Sequence, residues 1–205
     1  MIAVIDYGVG NLFSLCSSLR WIGADATVTS DPELLRRADK LILPGVGAFA
    51  DAAEKLRISG LGQAVREAAA DGKDILGICL GMQLLFETSY EYGKHKGLGL
   101  LKGSVIPMQG TIPPQLKIPH IGWNALHIHR EHRLFRYIRE QDCVYFVHSF
   151  YASKCEESVI ASTEYGSVIT AAVAGENVMG CQFHPEKSGT VGLNILRAFC
   201  ETEGD

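Results

Sequence analysis

Asp74-Ile75-Leu76-Gly77-Ile78-Cys79-Leu80-Gly81-Met82-Gln83-Leu84-Leu85 is the stretch on which the fold turns. An apolar run of strand length, Asp74–Ile78, leads directly into a pattern that predicts an amphipathic helix over Gly81–Thr88. Glycines stand two before and two after Cys79, which is the nucleophile-elbow pattern with cysteine in place of serine. So sharp a turn crowds those two positions, and glycine removes the Cβ atoms that would collide. The sulfur would then sit at a helix N-terminus, where the dipole and free N–H groups favour thiolate. The plain alternative is a buried structural cysteine following a strand.

Upstream of this stretch, short apolar runs alternate with helical patterns. Ile2–Asp6, Ala26–Thr29 and Lys40–Pro44 read as strands. Asn11–Ile22 reads as a helix capped by Asn11, and a second helix opens at Asp31-Pro32 with Asp31 as cap. Helical patterns also cover Phe49–Leu56 and Leu61–Asp71. Such alternation predicts βαβ units on a parallel sheet. Downstream the pattern turns to strands: Ser104–Pro107, Asn124–Ile128, Val144–Tyr151, Val159–Thr163, Ser167–Val173 and Val178–Phe183. Turn signals at Tyr165-Gly166 and Gly175-Glu176-Asn177 predict antiparallel hairpins, and Val191–Cys200 reads as a closing helix. The expected fold is α/β: one domain over residues 1–205, with a mostly parallel central sheet flanked by helices and antiparallel strands in the second half.

A nucleophile needs a base and a group to orient it. Of seven histidines, His184 follows the predicted strand Val178–Phe183 directly, and strand ends are where α/β sites collect. In His184-Pro185-Glu186 the two-residue spacing puts imidazole and carboxylate on one side of an extended segment that Pro185 holds straight. Cys79, His184 and Glu186 are therefore the candidate nucleophile, base and orienting acid. Acyl chemistry also needs oxyanion donors. The N–H of Leu80 is one; Pro44-Gly45-Val46-Gly47, at another strand end, offers Val46 and Gly47, unless it is an ordinary glycine turn.

The remaining composition narrows the partners. With 19 Lys+Arg against 23 Asp+Glu and a formal charge of −4, the chain lacks the basic surface that nucleic acid requires. At 47 % apolar residues with so small a charge it is not a disordered chain. No apolar run reaches the roughly 18–20 residues of a membrane span. The opening Met1–Gly8 lacks a basic start and carries Asp6, and the six cysteines form no C-x-x-C pair, so a cytoplasmic protein is expected. His127-x-His129-x-x-His132 lacks a thiolate or carboxylate at metal-ligand spacing and reads as a solvated strand end rather than a zinc site. Neither metal nor cofactor is expected.

Together, Pro44-Gly45-Val46-Gly47-Ala48-Phe49, Gly77-Ile78-Cys79-Leu80-Gly81-Met82-Gln83 and Phe183-His184-Pro185-Glu186-Lys187 resemble the class I glutamine amidotransferases, in order and over nearly the whole chain. Ile5–Leu12, Pro119–Asn124 and Tyr145–Tyr151 look like the branch formed by the glutaminase subunits of imidazole glycerol phosphate synthases, in histidine biosynthesis. That resemblance implies glutamine hydrolysis through a Cys79 thioester. It further implies delivery of ammonia to a (β/α)8 cyclase subunit in a heterodimer, which makes imidazole glycerol phosphate and an aminoimidazole carboxamide ribonucleotide. By the same resemblance Gly47, Gln83, Glu91, His148, Ser149 and Phe150 bind glutamine. Phe150 stands where relatives often have tyrosine, which puts a hydroxyl contact there in doubt but not a backbone one. Asn11, Leu12, Trp123, Asn124 and Lys187 look like partner contacts, although Trp123 also suits a core. A free-standing hydrolase of γ-glutamyl peptides would use the same three residues, and a regulatory subunit on this scaffold would have lost one of them.

Overall fold

The computed structural model describes residues 1–201, so the last four residues of the expected domain lie outside the described part. Its elements run β1 (Ile2–Ile5), α1 (Leu12–Trp21), β2 (Ala26–Thr29), α2 (Pro32–Arg37), β3 (Lys40–Leu43), α3 (Phe49–Ile58), α4 (Leu61–Ala70), β4 (Asp74–Ile78) and α5 (Leu80–Leu84). Then come β5 (Phe86–Ser89), β6 (His95–Lys96), β7 (Leu101–Pro107), β8 (His120–Ala125), β9 (His127–Ile128), β10 (Cys143–His148) and β11 (Phe150–Ser153). The chain ends with β12 (Val159–Glu164), β13 (Val168–Ala174), β14 (Val178–Cys181) and α6 (Gly189–Cys200).

The main sheet has the order β2-β1-β3-β4-β14-β13-β12-β9. Its first five strands are parallel and the remaining pairings antiparallel; β1–β4 follow the prediction for the first half, while β14, from the half expected to form antiparallel hairpins, pairs antiparallel with β13 and parallel with β4. Both faces of the parallel half are covered, so neighbouring residues of one strand feed different cores. Ala3, Ile5, Leu41 and Leu43 pack on one side with α3 and α4, whereas Ile2, Val4 and Ile42 pack on the other with α1 and α6. The caps are those the sequence announces. Asn11 Oδ1 accepts from Ser14 N–H at 3.4 Å, Asp31 Oδ1 accepts from Glu33 N–H at 2.9 Å, and Pro32 opens α2.

Three expectations fail, each for a tertiary reason. The helix predicted over Gly81–Thr88 stops at Leu84, and Phe86–Ser89 is a strand. Leu98 and Leu100 N–H take the carbonyls of Leu84 and Leu85, both at 2.8 Å, and Gly99 N–H takes that of Phe86, so the helix has no acceptors left to continue. The strand predicted over Asn124–Ile128 breaks at Leu126, whose N–H turns to Asp142 O; β8 and β9 then enter different sheets. The strand predicted over Val144–Tyr151 breaks at Ser149. There β10 pairs β8 as a two-stranded ribbon, while β11 joins a second sheet of order β11-β7-β5-β6. Among the described residues no helix is long and apolar enough to cross a membrane.

Candidate active site

β3, β4 and β14 are adjacent and parallel, and their C-terminal ends deliver the three candidate segments side by side. β3 leads into Pro44–Gly47, β4 into Cys79, and β14 into His184. An open α/β sheet gathers chemistry at this edge because consecutive strand ends converge there.

Cys79 has φ 54° and ψ −112°, a left-handed conformation for a non-glycine residue that costs about 1–3 kcal/mol. Packing enforces it. A Cβ on Gly77 would lie 2.7 Å from Gly81 O and from the backbone of Met82, and one on Gly81 would lie 1.8 Å from Leu43 O. The second glycine is thus required by the neighbouring strand β3 rather than by Gly77, a correction to the reading from the turn alone. Cys79 N–H is tied to Cys181 O at 2.8 Å, and Leu80 is the first residue of α5, so its N–H has no acceptor within the helix.

His184 and Glu186 meet as expected, but not through an extended segment. Pro185–Lys187 forms a 3-10 turn, which Pro185 opens as a first-turn proline does. His184 Nδ1–H donates to Glu186 Oε1 at 2.8 Å, and both side chains are almost wholly buried. That bond leaves Nε2 on the side of Cys79. Burial alone lowers the imidazole's pKa; hydrogen bonding and charge from Cys79 and Glu186 outweigh it and raise the pKa to about 9. By distance Nε2 has no hydrogen-bond partner among the described residues, so the Cys79 interaction is one of close approach rather than a formed bond.

The backbone around His184 is pinned to β10. His184 N–H donates to Tyr145 O at 2.9 Å, Ser188 Oγ–H donates to His184 O at 2.6 Å, and Tyr145 N–H donates to Ser188 Oγ at 3.0 Å. A cavity of about 430 Å³ opens over the sulfur. Its walls include Val46, Gly47, Gln83, Glu91 and the His148–Phe150 segment.

A family model for class-I glutamine amidotransferases matches residues 3–202. The chain belongs to this family. An imidazole glycerol phosphate synthase subunit HisH of Bacillus licheniformis is 52 % identical over 202 residues, covering 97 % of this chain and 95 % of the relative. The protein of the same name from Wolinella succinogenes is 48 % identical over 203 residues, covering 98 % and 99 %. A crystal structure of a glutamine amidotransferase superposes with a TM-score of 0.75 at 20 % identity, covering 97 % of each chain, which is a likeness of fold.

In this amidotransferase the loop Pro44–Gly47 is clamped at its base. Buried Tyr7 donates its O–H to Pro44 O at 2.8 Å. Burial, and then the charge of nearby Cys79, holds that phenol above its ordinary pKa, so it remains a donor. A Cβ on Gly45 would meet Gly81 N at 2.7 Å, whereas Gly47 sits at φ +98° with open space around it, so the loop is anchored at one end and free at the other. Sequence reasoning missed Tyr7, although it is the third residue of the Ile5–Leu12 motif.

Gln83 and Glu91 both line the cavity, but each already has an internal role. Gln83 Nε2 donates to Phe150 O and to Gln182 Oε1, both at 3.0 Å, which leaves its Oε1 as the acceptor. Glu91 Oε2 accepts from Phe49 N–H at 2.8 Å and so caps α3, whose own cap residue Ala48 supplies no side-chain bond. Burial, ahead of the opposing Phe49 bond, raises the carboxyl's pKa. Tyr92, not foreseen, stands at φ +50° on the cavity wall with its ring edge-on to Phe150 at 5.8 Å.

His148 is held in a chain of neutral rings. Its Nδ1–H donates to Phe150 O at 2.9 Å, which leaves Nε2 to accept from His120 Nδ1–H at 3.2 Å. His120 Nε2 then faces the Asn124 amide at 3.4 Å, and its ring is stacked between Phe146 and Tyr165. Burial pushes both imidazoles down to about 4. Asn124 also donates to Glu164 O at 2.9 Å and accepts from Ala125 N–H, so its side chain is committed inward. Trp123, half exposed on the same strand, lies edge-on to Tyr145, with Lys187 Nζ 5.9 Å from the Tyr145 ring. Asn11 lines a crevice with Pro44, Val46, His184 and Glu186. Of the three histidines weighed as metal ligands, His129 bonds Ser162, His132 caps Leu134 N–H and His127 faces Gln141.

Proposed function

We propose that the chain is the glutaminase subunit of an imidazole glycerol phosphate synthase, hydrolysing glutamine and delivering ammonia to a separate (β/α)8 cyclase subunit in the cytoplasm. The observation that carries this reading is Cys79, strained at its elbow beside the buried His184–Glu186 pair and opening onto the cavity. The names and high identity of the curated relatives support the choice of complex.

Cys79 gives its proton to His184 Nε2 and attacks the side-chain amide carbon of glutamine. The N–H of Leu80 and the Val46–Gly47 backbone hold the oxyanion. His184, kept in one tautomer by Glu186, protonates the leaving ammonia, then takes a proton from the water that cleaves the thioester. Gln83 Oε1 and the second oxygen of Glu91 receive the ammonium of glutamine, and backbone N–H groups of Gly47 and the His148–Phe150 segment receive its carboxylate. Trp123, Lys187 and Asn11 face the cyclase, with Asn124 holding the strand of Trp123 from within.

Cys79→Ser in the two-subunit complex tests the assignment. Synthesis from glutamine falls at least a thousandfold, while synthesis from added ammonia persists. Loss of both, or survival of both, refutes it.

A further inference from the structure

We propose that Gln182 is a catalytic residue of this site, its side-chain N–H held on the sulfur of Cys79 to stabilise the thiolate. The proposal rests on the glutaminase reading above and adds to it a donor outside the candidate triad and oxyanion loop.

Gln182 is fully buried at the end of β14, two residues before His184. Its Nε2 lies 3.8 Å from Cys79 Sγ, hydrogen-bond distance for sulfur, and its Oε1 accepts from Gln83 Nε2 at 3.0 Å. The orientation of a buried amide is normally ambiguous, since oxygen and nitrogen have the same shape. Here a backbone carbonyl removes the ambiguity. Phe150 O can only accept, so the Gln83 atom 3.0 Å from it must be the NH2 group. That NH2 spends its second hydrogen on Gln182, so the Gln182 atom facing it must be the oxygen. The other end of Gln182, the one against Cys79, is therefore the donor. Flipping Gln83 would set acceptor against acceptor, and flipping Gln182 would set donor against donor, within a buried space.

A neutral thiol is a weak acceptor, and a thiolate is a strong one. A fixed N–H on the sulfur consequently favours the state in which the Sγ proton has moved to His184 Nε2, and it does so without a second cation beside the imidazolium. The donor is set in place before the reaction, so no reorganisation opposes the transfer. Gln83 then has two duties: its oxygen serves the ligand, and its NH2 aims Gln182.

Iodoacetamide alkylation of Cys79, followed by mass spectrometry of its peptide as a function of pH, reads thiolate formation without using glutamine turnover. Near pH 7 Gln182→Leu reacts about tenfold more slowly than wild type, and the difference closes at alkaline pH, where both thiols are ionised. Gln182→Glu keeps the shape and the acceptor for Gln83 but places a carboxyl oxygen on the sulfur, and it reacts more slowly still. Coincident pH profiles for wild type and both variants overturn the proposal while leaving the glutaminase reading intact. A wild-type Cys79 that resists alkylation at every pH overturns both. Should the leucine variant fail to fold, the side-chain amide proton of Gln182, followed by NMR in wild type and in Cys79→Ala, decides the matter. A resonance that shifts on removal of the sulfur supports the contact, and an unmoved one refutes it.

Discussion

The two halves of the site are held by different means. At Cys79 the backbone is trapped by sterics: Gly77 and Gly81 lie against α5 and β3 so closely that no side chain fits, and the main sheet itself sets the nucleophile. At His184 the backbone is held by hydrogen bonds to Tyr145 and Ser188, and through them to the β8–β10 ribbon, which forms a sheet of its own. Close packing resists displacement and fails all at once, whereas a few polar contacts to a narrow ribbon give way by degrees. Cys79 is thus built into the main sheet, whereas the backbone at His184 and the His148 wall of the cavity are tied to the smaller ribbon.

Substitutions at the two places should separate these behaviours. Gly81→Ala drives a methyl group into Leu43 O and should cost more than about 4 kcal/mol, leaving little folded protein in a urea titration; a near-normal midpoint would show that the sheet yields there. Ser188→Ala removes the hydroxyl shared by Tyr145 N–H and His184 O. It should cost about 1–3 kcal/mol in stability and lower kcat for glutamine hydrolysis roughly tenfold with a smaller change in KM. An unchanged kcat would mean that the ribbon does not position His184. A further effect concerns pH. His120 and His148 have pKa values near 4 in the folded chain, below the ordinary histidine value, so the unfolded chain binds more protons as pH falls through that interval. Their contribution to stability is intact above about pH 6.5 and is lost as pH falls towards 4. His120→Phe, which keeps the ring stack on Phe146 and Tyr165, should flatten the fall in Tm over this range; an equally steep fall would assign the acid lability to other groups.

The parallel half of the fold was legible from the sequence because local signals and tertiary structure agree there. Caps at Asn11 and Asp31, the proline after Asp31 and the apolar strand runs all report the same elements. The second half was less legible because its boundaries depend on which distant N–H claims a carbonyl. The end of α5 is decided by residues 98–101, and the break at Leu126 by Asp142, neither of which periodicity can register. At the site, the trio Cys79, His184 and Glu186 could be read from motif and position, while the 3-10 turn joining the last two could not. Gln182 and Tyr7 were overlooked since a glutamine and a tyrosine in apolar surroundings carry no pattern of their own. Their roles come from what lies opposite them, Cys79 Sγ and Pro44 O.

Glu91 has two oxygens, and one of them belongs to α3. Because that helix begins immediately after the Pro44–Ala48 loop, a cation drawn to the other oxygen shares its carboxylate with the helix's first N–H. In the proposed binding of glutamine, occupation of the pocket and order at the start of α3 are therefore linked quantities, and linkage is reciprocal. Whatever steadies the loop and helix tightens the grip on the ligand by the same factor with which the ligand steadies them, so a protein docked against the loop would be sensed in the affinity for glutamine without touching it.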